Sequence, residues 1–284
     1  VLEFADEYNQ PRMIFVSKMD RERADFAARL QDLRKSLGPQ CIPVQVPIGA
    51  ADSFKGVVDV LTEKAYVFGE GDSGRFAVQE MPAELADTVR KFKEELIEQV
   101  AEAKDELLEK YLEEGELSPE ELIEGLRHAV VTRKLVPVAC GSGTGNIGVQ
   151  QLMDFIVANF PSPADRGAVK GKVPGGDAEL LREPDPSGPF SALVIKTISD
   201  PYAGRLSVMR IFSGALTPDA TVFNATKGVK ERFGQLLRLK GKSQDSVQSA
   251  GPGDIVAVAK LKETVTQDTL CSEKEPIVFP PIEL

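Results

Sequence analysis

At 284 residues, 42% hydrophobic and 27% charged, the chain has the composition of a soluble protein and the length of about two domains. No apolar run approaches the roughly 18–20 residues that a membrane-crossing helix needs, and the mixed, acidic first ten residues do not read as a secretory leader. Cys41, Cys140 and Cys271 are odd in number and widely spaced, and His128 is the single histidine. That argues against a disulfide framework and a zinc site, and for reduced thiols in a cytoplasmic protein. The net charge of −10 is unevenly spread. Residues 80–125 carry 16 acidic and 5 basic side chains, a local −11, whereas 227–242 carry six basic and one acidic, a local +5. One acidic and one basic segment therefore say more about partners than the total does.

In chain order, residues 12–16 (RMIFV) predict a short buried strand. Phe26, Leu30, Leu33 and Leu37, spaced 4, 3 and 4 apart, predict a helix stopped by Gly38-Pro39. Residues 42–48 alternate as a second strand, so strand, helix and strand point to a parallel α/β sheet. Residues 57–68 read as strand, and 69–74 as a turn. Pro82 opens a predicted long helix with Leu85, Val89, Phe92, Leu96, Val100, Leu107 and Tyr111 on one side. Ser118-Pro119-Glu120-Glu121 is a capping box with proline at the first helical position, so a new helix starts there. Residues 136–140 predict another buried strand, followed by a glycine-rich turn and a helix over 148–159. The Pro-, Gly- and charge-rich stretch 160–188 reads as linker. Beyond it, strands at 190–197, 205–212, 221–224, 231–239 and 255–260, parted by turns such as Asp200-Pro201, Ser213-Gly214 and 251–254, predict a small β-barrel.

Two polar clusters stand at predicted strand ends, where α/β sheets bind ligands. In Ser17-Lys18-Met19-Asp20, the carboxylate can accept two hydrogen bonds from guanine N1 and its exocyclic amine, which adenine does not offer, and the lysine stem can cover the base. Alone, this tetrapeptide reads first as a polar strand-to-helix turn with Asp20 as an N-cap. In Gly141-Ser142-Gly143, backbone N–H groups can meet guanine O6, although alone it is a glycine turn. In this order on successive strands, the two read together as a guanine site.

These two loops resemble the guanine-recognition motifs of elongation factor G. The resemblance is collinear over nearly the whole chain. It includes residues 54–60 (FKGVVDV), 109–112 (EKYL) and 145–150 (GNIGVQ), and in the second half 210–214 (RIFSG), 250–255 (AGPGDI) and 268–270 (DTL). It implies an α/β fold: part of a P-loop GTPase G domain over 1–165, with an α+β G′ insert at about 52–135. A linker at 166–188 and an all-β barrel, domain II, over 189–284 would follow. It also implies a cytoplasmic, ribosome-bound GTPase promoting translocation, with GTP or GDP and Mg²⁺ as its nucleotide and metal and the ribosomal stalk protein as a partner of G′. Ser17, Lys18, Asp20, Gly141, Ser142 and Gly143 would read the base, while Lys227, Lys230, Arg232, Arg238, Lys240 and Lys242 are candidates for ribosomal RNA contact.

Departures matter as much. Where the family carries asparagine stands Ser17, too short to make both the base contact and the tether to the phosphate loop, which suggests a divergent paralogue. Gly143 replaces an alanine, a mild change because the backbone makes the contact. The 284 residues contain no Gly-x-x-x-x-Gly-Lys-Ser/Thr loop, no switch threonine and no Asp-x-x-Gly-His segment. His128 lies in a helical pattern as a surface or packing residue. With a start at Val1, the chain reads as an internal piece of a longer protein; the piece itself is expected to be monomeric, with no catalytic residue, no metal ligand, and neither hydrolysis nor tight binding of GTP on its own. A ribosomal protection protein, or a non-enzymatic module binding ribosome and stalk, are the alternative readings.

Overall fold

A computed structural model describes residues 2–69, 71, 73–200 and 204–283. It divides into two compact units, Val1–Phe160 and Pro161–Leu284. In the first, the chain runs through α1 (Leu2–Glu7), β1 (Ile14–Val16), α2 (Phe26–Leu37), β2 (Cys41–Pro43), β3 (Gln45–Ile48), β4 (Gly56–Asp59), β5 (Lys64–Phe68) and β6 (Phe76–Glu80). It continues through α3 (Ala86–Glu102), α4 (Asp105–Glu114), α5 (Pro119–Val131), β7 (Val136–Cys140) and α6 (Val149–Asn159).

The expected α/β sheet is present as three parallel strands in the order β1-β7-β2. α2 forms where its apolar spacing places it. The Asp25 carboxylate caps it by accepting from Ala28 N at 2.9 Å, and Gly38, at φ 107, ends it. Its buried Phe26 and Leu30 join Cys41, Val136, Val138 and Cys140 in one core. Burial of each such apolar side chain contributes about 1.5–3 kcal/mol.

The strand predicted over 42–48 serves two sheets. At Val44 it leaves the parallel sheet: its N–H donates to Val138 O at 2.9 Å and its carbonyl accepts from Val60 N at 3.1 Å. β3 then opens an antiparallel sheet, β3-β4-β5-β6, whose pairing begins at Gln45. Residues 57–68 form two strands around a turn closed by Asp59, whose carboxylate accepts from Thr62 N and Oγ1. Of the turn expected over 69–74, residues 70 and 72 lie outside the described residues. The single helix expected from Pro82 is instead two, because the chain turns extended at Lys104 (φ −143, ψ 125). Val100 before the break and Leu107 after it both pack on α5 over Gly125, where a Cβ would stand 2.6 and 2.7 Å from them. The capping box at Ser118 forms as expected, with Ser118 Oγ accepting from Glu121 N and Ser118 N donating to the Glu121 carboxylate.

The second unit holds α7 (Pro163–Arg166), β8 (Val169–Lys172), β9 (Glu179–Arg182), β10 (Ser191–Asp200), β11 (Gly204–Ser213) and β12 (Thr221–Asn224). Then follow β13 (Val229–Arg232), β14 (Leu236–Lys240), β15 (Ser243–Val247), β16 (Ile255–Ala259) and β17 (Thr269–Cys271). Residues 166–188, expected as a linker, instead build the β8–β9 hairpin and are stitched to this unit. Lys172 and Val278 exchange backbone hydrogen bonds at 2.8 and 2.9 Å, and Arg182 donates to Glu275 O at 2.6 Å. Gly171 is there because a Cβ would meet Ile277 at 2.6 Å, so close approach rather than flexibility explains part of this glycine-rich composition.

Eight strands form one antiparallel sheet, β13-β12-β17-β10-β11-β16-β14-β15. It rolls on itself as a barrel: Val222 and Leu270 near one end share a core with Leu236 and Val258 near the other, and Phe233 fills the same interior. The run expected as one strand over 231–239 breaks at Phe233 and Gly234, which turn to pair with Ala220 and Asp219. The turn expected at Asp200-Pro201 falls in part on 201–203, outside the described residues.

Candidate guanine-reading site

The ends of β1 and β7 lie side by side, with Val16 paired to Cys140. The loops leaving them are stitched together: Gly141 N donates to Val16 O at 3.1 Å, and Met19 N donates to Gly141 O at 3.1 Å. Met19 is 1% exposed and plugs the core beneath, while its carbonyl accepts from Ala51 N at 2.9 Å. That anchor leaves Ser17 and Lys18 exposed on either side of a backbone bend, Lys18 at φ 62. Asp20 is not an N-cap, since α2 starts at Phe26 under Asp25. Its carboxylate instead faces the second loop and hydrogen-bonds the Ser142 hydroxyl, which holds its pKa below the ordinary carboxylate value. Burial opposes that shift, and its own backbone N–H, Arg21 and Lys18 add to it, with Arg21 Nε 3.8 Å from Oδ2. Asp20 Oδ1 is buried and has no hydrogen-bond partner.

The second loop is a closed six-residue turn. Ser142 N donates to Ile147 O at 2.9 Å, Ile147 N returns a bond to Ser142 O at 3.0 Å, and the Ser142 hydroxyl accepts from Gly145 N at 3.0 Å. Two glycines are structural. A Cβ on Gly141 would lie 2.4 Å from Ile147 O, and Gly148 sits at φ 76 with Cys140 O 2.8 Å from its Cβ position. Gly143 is exposed with nothing nearby. The Gly143 and Thr144 N–H groups have no acceptor among the described residues. Gln150 donates to Gly74 O at 2.9 Å, tying this loop's helix to the β5–β6 turn. The fully buried Cys140 thiol is pushed far above its ordinary pKa by desolvation and stays protonated at neutral pH.

All six expected base-reading residues thus meet at one pair of strand ends. Sequence reasoning missed Met19 as the plug that orients its neighbours, although its hydrophobicity between polar residues was the available signal. The six basic residues are not equivalent. Lys227 lies 3.5 Å from Asp268, Lys230 2.8 Å from Glu273, Arg232 3.9 Å from Asp219 and Arg238 3.8 Å from Asp254. Lys240 and Lys242 are exposed and have no ion-pair partner among the described residues. His128 is exposed on α5. Among the described residues no helix is long and apolar enough to cross a membrane, and no group of three His, Cys, Asp or Glu side chains is placed to hold a metal ion.

Residues 1–162 match the elongation factor Tu GTP binding domain, and residues 189–273 match elongation factor G domain 2. The chain belongs to the translational GTPases of the elongation factor G and Tu type. A solved relative supports the same architecture: the crystal structure of ttk003000868 from Thermus thermophilus is 31% identical and superposes with a TM-score of 0.79. The match covers 97% of this translational GTPase chain and 38% of the other, so the chain spans less than half of that protein.

Proposed function

We propose that this chain is the guanine-reading and ribosome-facing part of an elongation factor G-like GTPase that acts in tRNA and mRNA translocation in the cytoplasm. The observation carrying this reading is the buried, unpartnered Asp20 Oδ1 beside the Ser142 loop. An orphaned buried acceptor is costly unless a ligand donor fills it. Guanine N1–H and its amine supply two donors to the Asp20 carboxylate, the Gly143 and Thr144 N–H groups face O6, and the Lys18 stem covers the ring. The low pKa keeps Asp20 ionised as an acceptor at neutral pH. Ser17 lacks an amide and weakens this half, in keeping with a divergent paralogue.

GTP or GDP and Mg²⁺ would be held chiefly through phosphates, which draw most of their binding energy from backbone N–H groups, a lysine and the metal ion. The 284 residues contain no phosphate-loop segment. On their own they therefore neither hydrolyse GTP nor bind it tightly. G′, with its acidic helices, would meet the ribosomal stalk protein, and Lys240 and Lys242 would meet ribosomal RNA phosphates. A fluorescent GDP titrated into the chain tests the nucleotide reading: no saturation is expected at micromolar concentration, and clear saturation there refutes it.

A further inference from the structure

The base-reading loops are tied to the inserted antiparallel sheet as well as to the parallel one. Met19 O accepts from Ala51 N, just past β3, at 2.9 Å. Ile147, in the second loop, packs on the core that holds Val57 of β4. Gln150 Nε2 donates to Gly74 O, two residues before β6, at 2.9 Å, across 76 residues of sequence. The first two ties are backbone and apolar contacts. The third hangs on one polar side chain.

Gln150 is the second residue of α6, whose N-cap, Gly148, sits at φ 76 and supplies no side-chain cap. Asn146 before it is also left-handed, at φ 50. A helix start without a side-chain cap is steadied by whatever its first turn touches, which here includes Gly74. Gly74 is buried at φ 67, and a Cβ on it would lie 2.4 Å from Asn146 Nδ2 and 2.5 Å from Gln150 Nε2. The two amide tips therefore fill the space that a side chain at 74 would need. Gln150 Oε1 is buried and has no hydrogen-bond partner, so the side chain holds Gly74 at the cost of an uncompensated acceptor. From Gln150 the route to the base is short. Ile147 and Ser142 exchange backbone bonds at 2.9 and 3.0 Å, and the Ser142 hydroxyl meets the Asp20 carboxylate.

We propose that Gln150 is a positioning residue for base recognition: its bond to Gly74 holds the Ser142 loop in place beside Asp20 and makes that placement depend on the inserted sheet. The inference rests on the guanine-reading function proposed above. Gln150 does not touch the base; it acts through the loop. Drawing the start of β6 away from α6 frees the loop and loosens the base, so the insert and the guanine site are energetically coupled.

The test uses the 284-residue chain and two readouts. Without nucleotide, amide hydrogen exchange at Ser142 and Ile147 reports closure of the loop. Gln150→Ala should speed it about three- to tenfold, the span of one net hydrogen bond. In NMR titrations the same variant should bind GDP about three- to tenfold more weakly. A merely structural role would lower the unfolding midpoint and leave the GDP affinity of the folded chain unchanged. Gln150→Glu keeps the shape, loses the donor, and should behave like Gln150→Ala. Gly74→Ala should displace the same amide, and adding it to Gln150→Ala should cost little more GDP affinity than either change alone. Parent-like exchange or parent-like GDP affinity in Gln150→Ala, or a parent-like Gln150→Glu, would overturn the proposal. If GDP leaves residues 17–20 and 141–147 of the parent chain unshifted, the guanine-reading function itself fails, and the exchange rates alone decide whether Gln150 holds the loop.

Discussion

Replacing Gly148 by alanine should be among the most damaging single-methyl changes in the first unit, and the same change at Gly143 should be nearly silent. Gly148 occupies φ 76, where a non-glycine residue pays about 1–2 kcal/mol. Its new Cβ would also lie 2.8 Å from the Cys140 carbonyl oxygen and 3.4 Å from Val57 Cγ1. The oxygen belongs to a central strand fixed on both sides by β1 and β2, so it is not free to retreat. Overpacking of this kind adds about 1–2 kcal/mol, for a total near 3 kcal/mol. For a unit of this size that lowers the unfolding midpoint by roughly 6–12 °C. A Cβ at Gly143 meets nothing within 4 Å, and its backbone is not in the left-handed region. Gly143→Ala should stay within about 0.5 kcal/mol of the parent chain. Because the chain has no tryptophan, calorimetry is the direct assay. Equal midpoints for the two variants would refute the assigned geometry of the loop that presents Ser142.

Three further outcomes follow from local physics. Ser118→Ala removes half of the capping box on α5 and should cost about 1 kcal/mol by urea unfolding monitored by circular dichroism; no loss would mean the cap is idle. Burial pushes Glu231 upward, but three backbone N–H groups (Lys262, Glu263, Thr264) and the Thr264 hydroxyl outweigh it and leave its pKa depressed. A depressed carboxylate stabilises the fold above its ordinary value of 4.5, and that stability is lost as pH falls through the lower folded value. Glu231→Gln should therefore flatten the acid limb of the barrel's stability curve, and an unchanged limb would contradict the assignment. Finally, Lys240→Ala with Lys242→Ala should weaken binding to a ribosomal RNA hairpin and reduce the salt slope by about 1.5–2. Lys230→Ala with Arg232→Ala should change it less, because those cations already face Glu273 and Asp219; the reverse ranking would remove Lys240 and Lys242 from the contact.

The elements most legible in sequence were those with a local cause. The Phe26–Leu37 stripe, the Ser118 box and the polar residues closing β1 and β7 each declare themselves through spacing and chemistry. What periodicity could not show was where a regular pattern changes partner. The apolar rows on α3 and α4 stay in step across Lys104, since Val100 and Leu107 are seven residues apart, so the break was invisible. Val44 likewise continues an unbroken apolar run while moving from one sheet to the other. Residues 166–188 have linker composition, yet their Gly171 and Arg182 are held by residues about a hundred positions away, a tertiary contact that local sequence does not encode. At the site itself, Asp20 was legible as a candidate guanine acceptor. Its ranking against the N-cap alternative needed its hydrogen bond to Ser142 and the finding that Asp25 caps α2.

The most direct test of the base-reading claim is a ¹⁵N-resolved titration of the 284-residue chain with GDP. The account predicts shifts confined to residues 17–20 and 141–147, with affinity on the order of millimolar because the phosphates find no cradle. Saturation at micromolar GDP, or shifts that leave Asp20 and Ser142 untouched, would contradict it.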